Sequence, residues 1–158
     1  MKSRAYQTTP TPVLDLLPSL LTTKTNRPRD RLIDEGLRYS TQRTQFGKPI
    51  SQFQLVQGML ADSQAEAFAA RAMIEKAAVN KDLGRNVTME SACCKYFATE
   101  AAGRIADRVL QIHGGSGYIK AFAIERLYRD VRLLRIFEGT SQIQQLIISR
   151  EMIKQFGA

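Results

Sequence analysis

Tryptophan is absent from the 158 residues, histidine occurs once, at His113, and the two cysteines are the neighbours Cys93 and Cys94. A single imidazole excludes a histidine-rich metal site. It also leaves a Ser-His-Asp triad without support, since neither Ser116 nor Ser141 stands in a nucleophile-elbow pattern. Two adjacent thiols within a helical pattern make neither a disulfide framework nor a metal-ligand set, and they fit a reducing compartment. Proline is nearly confined to the start of the chain; beyond residue 30 there is Pro49 alone. No apolar run approaches the ~20 residues that a bilayer-spanning helix needs. Residues 14–21 are apolar but short, interrupted by Asp15 and broken by Pro18, so they make a poor signal peptide. Acidic residues are in deficit, 15 against 23 Lys and Arg, for a formal charge of +8. That surplus favours phosphates, nucleic acid or an anionic surface without choosing among them.

What is present suits an all-α protein: Ala, Leu, Ile, Arg and Gln are prominent, and 44% of the residues are hydrophobic. The length allows one domain with a real core. Residues 1–28 read as a poorly ordered tail, because the runs at 8–12 and 22–28 are polar, proline-punctuated and without period. The domain then occupies 29–158. Leu32, Ile33, Gly36, Leu37 and Ser40 form one face of a helix reaching about Arg43, and Gly47 and Pro49 break the chain after it. Ser51 is the expected N-cap of a long second helix with Phe53, Val56, Leu60, Ala67, Ala70, Ile74 and Ala78 inward. Thr88 is the expected cap of a third, with Ala92, Tyr96, Phe97, Ala101, Ile105, Val109 and Ile112 as its buried stripe. A shorter helix is expected over 123–132. Thr140 or Ser141 caps a last one whose apolar positions are Ile143, Leu146, Ile147 and Ile153. No strand is evident. Short loops between helices predict an antiparallel four-helix-type bundle with a short extra helix.

Four constellations carry chemistry or its imitation. The glycines at 114–117 end a helix, and read either as a cap or as a place where a ligand approaches backbone. Arg126, Arg129, Arg132 and Arg135 recur at every third position, either as a solvated face or as a phosphate-binding strip; without a reading motif or aromatic interleaving this does not indicate nucleic acid. Arg43 can grip a phosphate bidentately or merely solvate a helix end. Glu138 sits at a tight turn ahead of a helix. There a carboxylate can be partly desolvated and gain proton affinity, or can simply complement the helix dipole.

Taken in order, RTQFGKPI at 43–50, QIHGGSGY at 111–118, ERLYRD at 125–130 and IFEGTSQIQ at 136–144 form a set. That set resembles the C-terminal helical domain of the acyl-CoA dehydrogenase family of flavoproteins, over roughly residues 32–156. The resemblance implies that Glu138 is the base removing the pro-R α-proton of an acyl-CoA thioester while FAD accepts the β-hydride, giving the trans-2-enoyl-CoA. It implies FAD contacts for Arg43, Phe46, Gln54, Gln111, Gly114, Gly115, Thr140 and Gln142, and CoA-ligand contacts for Gly139 and Arg150. It further implies a homodimer or homotetramer, electron-transferring flavoprotein as the acceptor, and a cytoplasmic location (the mitochondrial matrix in a eukaryote), with no metal, nucleic acid or membrane span. Phe137 stands where the family commonly has tyrosine, which keeps the site apolar. The family's N-terminal helical domain and middle β-barrel domain have no counterpart in this sequence, so the flavin pocket is only partly represented. The alternative is a non-catalytic helical oligomerisation module.

Overall fold

One helix, Thr88–His113, has neighbours on nearly every side, and the other helices are arranged around it. The computed structural model describes residues 28–157. The tail expected over 1–28 lies outside them except for Pro28. In chain order the elements are α1 (Pro28–Gln42), a minimal hairpin β1 (Thr44–Gln45) and β2 (Lys48–Pro49), a 3-10 turn (Ile50–Gln52), and α2 (Gln54–Asp82). They continue with α3 (Thr88–His113), a second 3-10 turn (Gly114–Tyr118), α4 (Ala123–Leu133) and α5 (Ser141–Phe156). The all-α bundle read from the sequence is the observed architecture.

Side-chain contacts fix the directions. Gly36 faces Val109 and Tyr39 stacks on His113, so α1 runs parallel to α3. Glu66 of α2 reaches Arg104 and Arg108, while Ala77 packs in one cluster with Cys94, so α2 is antiparallel. Tyr128 meets Asp107 and Arg135 meets Glu100; further along, Ser141 meets Glu100 and Gln145 meets Tyr96. Helices α4 and α5 therefore descend α3 in the same sense. They form one pillar of a four-helix bundle, broken between Leu133 and Ser141. The bundle thus has four pillars from five helices, as the short extra helix anticipated.

Two clusters make the core. The larger joins Leu32 and Ile33 of α1, Ala102, Ile105, Ala106 and Val109 of α3, and Ile124, Leu127 and Val131 of α4. Each Leu, Ile or Val among them contributes about 1.5–3 kcal/mol on burial, and each Ala less. The second is small-residue packing of α2 on α3, with Ala70, Ile74, Ala77, Cys94 and Ala98. Gly36 permits the close approach of α1: a Cβ there would lie 3.2 Å from a Val109 methyl.

Several sequence expectations need correction. The segment at 44–49 is a true antiparallel hairpin, with Thr44 opposite Pro49 and Gln45 opposite Lys48. Its two-residue turn has positive φ at both Phe46 (53°) and Gly47 (78°), the twist that matches short paired strands. Ser51 does not cap α2. It lies in the 3-10 turn, Phe53 is the N-cap without a side-chain bond, and the Ser51 carbonyl accepts from Gln57 Nε2. Thr88 does not cap α3 either. It is the first helical residue, and Asn86 Oδ1 accepts from both its amide and its hydroxyl. Leu37, placed on the inner face of α1, is exposed.

The largest discrepancy is α5. Its Ile143, Leu146 and Ile153 are exposed, whereas Ser141 and Gln144 are buried. Each member of the polar pair has a partner there: Ser141 donates to half-buried Glu100 of α3, and Gln144 turns back onto the Glu138 and Gly139 carbonyls.

Candidate active site

The break in the fourth pillar is built by a short run of local hydrogen bonds. After α4, the Ile136 and Phe137 amides donate to Leu133 O, and the Ser141 amide donates back to Arg135 O. Between them the chain makes two consecutive left-handed residues, Glu138 (φ 54°) and Gly139 (φ 88°). Glycine takes this conformation freely; for glutamate it costs about 1–2 kcal/mol, so the surroundings must hold it there.

They do so from two directions. Along the chain, Thr140 caps α5 by accepting from the Ile143 amide at 3.3 Å, as the sequence suggested. Gln144 Nε2 turns back to donate to Glu138 O and Gly139 O, at 3.4 and 3.5 Å. From α3, Lys95 Nζ donates to Gly139 O at 2.6 Å, and Glu100 accepts from Ser141 Oγ at 2.6 Å and from Arg135 Nη1 at 3.1 Å. Burial works against ionisation of the Glu100 carboxyl, but the hydrogen bonds from Ser141 and Arg135, with the charges of Arg135 and Arg104, hold it below the usual carboxylate range. Burial pushes the Lys95 ammonium down, opposed by the carboxylates of Glu100 and Glu138.

Glu138 itself is exposed, and it stands two residues ahead of the Thr140 cap, outside the helix. It is therefore not a first-turn acid of α5. The turn ties the backbone inward and leaves the side chain on the surface. Gly139 and Thr140 share this turn and are half-buried, and Gln142 is exposed on the first turn of α5. Arg150, also exposed, lies about 12 Å beyond Gln142 along the α5 axis, at ~1.5 Å per residue.

A second group of expected site residues gathers at the far end of the bundle. Because α1 parallels α3, their C-terminal ends coincide: Tyr39 stacks on His113 with ring centroids 4.1 Å apart, and Tyr39 OH donates to Ser116 Oγ. His113 Nδ1 bonds Val109 O and the ring is buried, so the lone histidine is a packed helix-end residue. Exposed at this end are Gln111, Gly114 and Gly115, and from the α1 side Arg43 and Phe46. Gln54, the first residue of α2, follows the hairpin and is exposed too. The Phe46 ring sits edge-on to Phe53 at 6.2 Å, beneath which Lys48 Nζ lies 4.6 Å from the Phe53 centroid. Gly114 has φ 56°, and a Cβ on either Gly114 or Gly115 would meet nothing within 4 Å. The Gly114 amide already donates to Gln111 O, so what stays open at this end is space over the two glycines, and exposed Arg43 and Lys48 lie on the α1 side. Cationic groups of this kind suit a phosphate-bearing ligand.

The two groups do not form one pocket. From Glu100 to Gly114 the α3 axis runs about 20 Å at ~1.5 Å per residue. An apolar groove of about 310 Å³ does lie on the bundle, lined by Tyr96, Gln145, Ile148, Ser149, Met152 and Ile153, and none of the expected site residues lines it. Among the described residues no three His, Cys, Asp or Glu side chains are grouped to hold a metal ion. No described helix is long and apolar enough to cross a membrane.

Lys95 and Glu100 were missed by sequence reasoning. A signal was available: Lys95 falls in phase with Ala92, Ala98 and Ala102, a lone charge on a stripe otherwise small and apolar.

The sequence model described as acyl-CoA dehydrogenase, C-terminal domain, matches residues 27–153. A probable acyl-CoA dehydrogenase of Bacillus subtilis, YngJ, is 49% identical over 122 residues, which are 77% of this chain and 32% of that protein. The 3-(aryl)acrylate reductase of Clostridium sporogenes is 46% identical over 122 residues, with the same shares. The three-dimensional structure of butyryl-CoA dehydrogenase from Megasphaera elsdenii superposes with a TM-score of 0.84 at 30% identity, covering 91% of this chain and 36% of that one. The chain thus spans about a third of the length of the curated relatives it matches.

Proposed function

Because the chain belongs to the acyl-CoA dehydrogenase family of flavoproteins and corresponds to its C-terminal helical domain, we propose that Glu138 is the base of an enzyme interconverting acyl-CoA and trans-2-enoyl-CoA. The observation that carries this reading is the braced left-handed turn at Glu138–Gly139, which holds a carboxylate outward at a break in an otherwise regular pillar. Strain of this kind, over-determined by its surroundings, is characteristic of functional positions.

Bound FAD supplies the acceptor for the β-hydride. Glu138 takes the pro-R α-proton of the thioester onto its carboxylate. The residue is exposed in this domain, and an acyl chain with the remaining walls of the site would exclude water from it during the reaction. Thr140 and Gln142 face the flavin at the entrance of α5, and Gly139 and Arg150 serve the CoA ligand. Arg43, with Gly114 and Gly115, meets the phosphates, while Phe46, Gln54 and Gln111 bound the adenosine side. The two groups lie ~20 Å apart within one chain, which suits the second group meeting FAD across a dimer interface. In the reductive direction, which the name of the Clostridium relative describes for that protein, Glu138 returns the proton to the α-carbon by the same path.

The rest of the site comes from segments beyond this domain. The protein works as a homodimer or homotetramer in the cytoplasm (the mitochondrial matrix in a eukaryote), with electron-transferring flavoprotein as acceptor. Apolar side chains left exposed on α2 and α5, among them Phe68 and Leu146, support the oligomer. The same side chains favour the second reading, a helical oligomerisation module that binds no flavin.

The test joins this domain to flavin-bearing N-terminal segments and follows acyl-CoA-dependent bleaching of the flavin. Glu138→Gln is expected to retain the yellow colour and lose about 10²–10⁴-fold in bleaching rate. Undiminished bleaching overturns the assignment of the base. Failure of every oligomeric form to retain FAD favours the module.

A further inference from the structure

We propose that Lys95 is a positioning residue for Glu138, holding the Gly139 carbonyl from inside α3 and so fixing where the carboxylate stands. The proposal rests on the reading of Glu138 as the base.

Lys95 is 3% exposed, and its Nζ lies 2.6 Å from Gly139 O. Lysine is almost never buried unless it is paired, because an ammonium group taken out of water loses a strong hydration shell. A methionine or leucine would fill the same volume on this alanine-rich helix without that cost. The charge at position 95 is therefore explained by its contact, and the contact is the backbone that carries Glu138. Glu138 and Gly139 are consecutive left-handed residues, and an untethered glutamate there relaxes toward extended backbone. Gln144 also reaches these carbonyls, but at 3.4 and 3.5 Å and from the following helix, which the same turn positions. Lys95 acts from a different pillar, so it registers the turn against the bundle.

Glu100 completes the grip. It binds Arg135 ahead of the turn and Ser141 behind it, so α3 holds both flanks while Lys95 holds the centre. The charged groups facing Lys95 are Glu100 from its own helix and Glu138 from the turn, and Arg135 and Arg104 in turn face Glu100. Burial drives the Lys95 proton off while both carboxylates retain it. Lys95 thus bonds the Gly139 carbonyl directly, and the neighbouring Glu138 carboxylate favours its charged form.

Two measurements on the full chain test this. In Lys95→Met, hydrogen exchange at the Ser141 and Ile143 amides is expected to accelerate about tenfold or more, while the Ile105 amide in the core changes less than about twofold. Separately, nitrogen-15 NMR of the lysine side chains follows the titration of Lys95. In Glu138→Gln, which changes an exposed side chain, that titration is expected to move to lower pH. Unchanged exchange at Ser141 and Ile143, or equal acceleration at Ile105, overturns the positioning role, as does a Lys95 titration indifferent to Glu138→Gln. Should Lys95→Met not fold, the titration decides alone. Neither measurement involves turnover, so their failure leaves Glu138 as base intact, and a Glu138→Gln enzyme that still bleaches leaves them unaffected.

Discussion

At Gly139 the backbone has φ 88°, and a Cβ built there stands 2.8 Å from Gln144 Nε2. Any side chain would be strained in conformation and would push away the amide that bonds the Glu138 and Gly139 carbonyls. Gly139→Ala is therefore expected to cost about 1–3 kcal/mol of stability, measurable by urea denaturation, and to loosen the turn before the core. An unchanged midpoint would show that the turn is slack. Neighbouring Glu138 tolerates a left-handed φ because the lysine, the glutamine and the helix cap together outweigh its strain. This was only half legible in the residues. Gly139 and Thr140 announced a turn and a cap, but nothing local indicated that residue 138 would adopt a positive φ. Lys95, 43 positions upstream of Glu138, could not be linked to it by spacing.

Among the elements, α3 organises the bundle, and its contacts are polar where two helices need a fixed register. Glu66 of α2 accepts from Arg104 Nε at 2.7 Å and from Arg108 Nη1 at 3.0 Å. Burial raises the Glu66 carboxyl, but the hydrogen bonds and charges of Arg108 and Arg104 outweigh it and hold the group below its ordinary 4.5. A depressed carboxyl contributes stability that is fully present above its unfolded value and is lost as pH falls through the folded one. The melting temperature is accordingly expected to drop on acidification from about pH 5 to pH 3. In Glu66→Gln part of that drop, about 2–4 °C, should disappear in calorimetry at matched pH values. Equal acid sensitivity in both proteins would assign the loss to other carboxylates. The α2–α3 packing itself was readable, since Ala67, Ala70 and Ile74 recur at helical spacing and are buried as expected. The caps of α2 and α3 were not. In both, a residue without a hydroxyl stands at the cap: Phe53 ahead of α2, and Val87 ahead of α3, where Asn86 Oδ1 accepts from the Thr88 amide.

For the whole molecule, the question is what covers the apolar side chains that the bundle leaves in solvent. Phe68 on α2 is 70% exposed, and on α5 Leu146 is 61% and Phe156 94% exposed. Isolated exposed side chains need no explanation, but α5 displays several on one helix. Under the oligomeric reading proposed above, Phe68→Glu or Leu146→Glu is expected to lower the native mass in sedimentation equilibrium while leaving the helical circular dichroism unchanged. A mass indifferent to both substitutions would mean that other surfaces make the contact. The amphipathic pattern of α5 was correctly seen as apolar at 143, 146 and 153, yet it does not face this chain's core.

The sequence by itself determined the helical class, the succession of helices and the family, because helical periodicity, glycine-bearing breaks and motif order are properties of neighbouring residues. It also picked out 138–140 as a tight turn leading into the cap of the last helix. Only the tertiary structure decided that α4 and α5 form one broken pillar, that the break holds two left-handed residues, and that the carboxylate is exposed. The reason is physical: strain at one position is stabilised by a buried ammonium on another helix, and a helix turns its apolar face outward when its polar residues find partners on the inner side, Ser141 at Glu100 and Gln144 at the turn carbonyls. Both balances are struck between residues far apart in the chain, at Lys95, Glu100, Gly139 and Ser141.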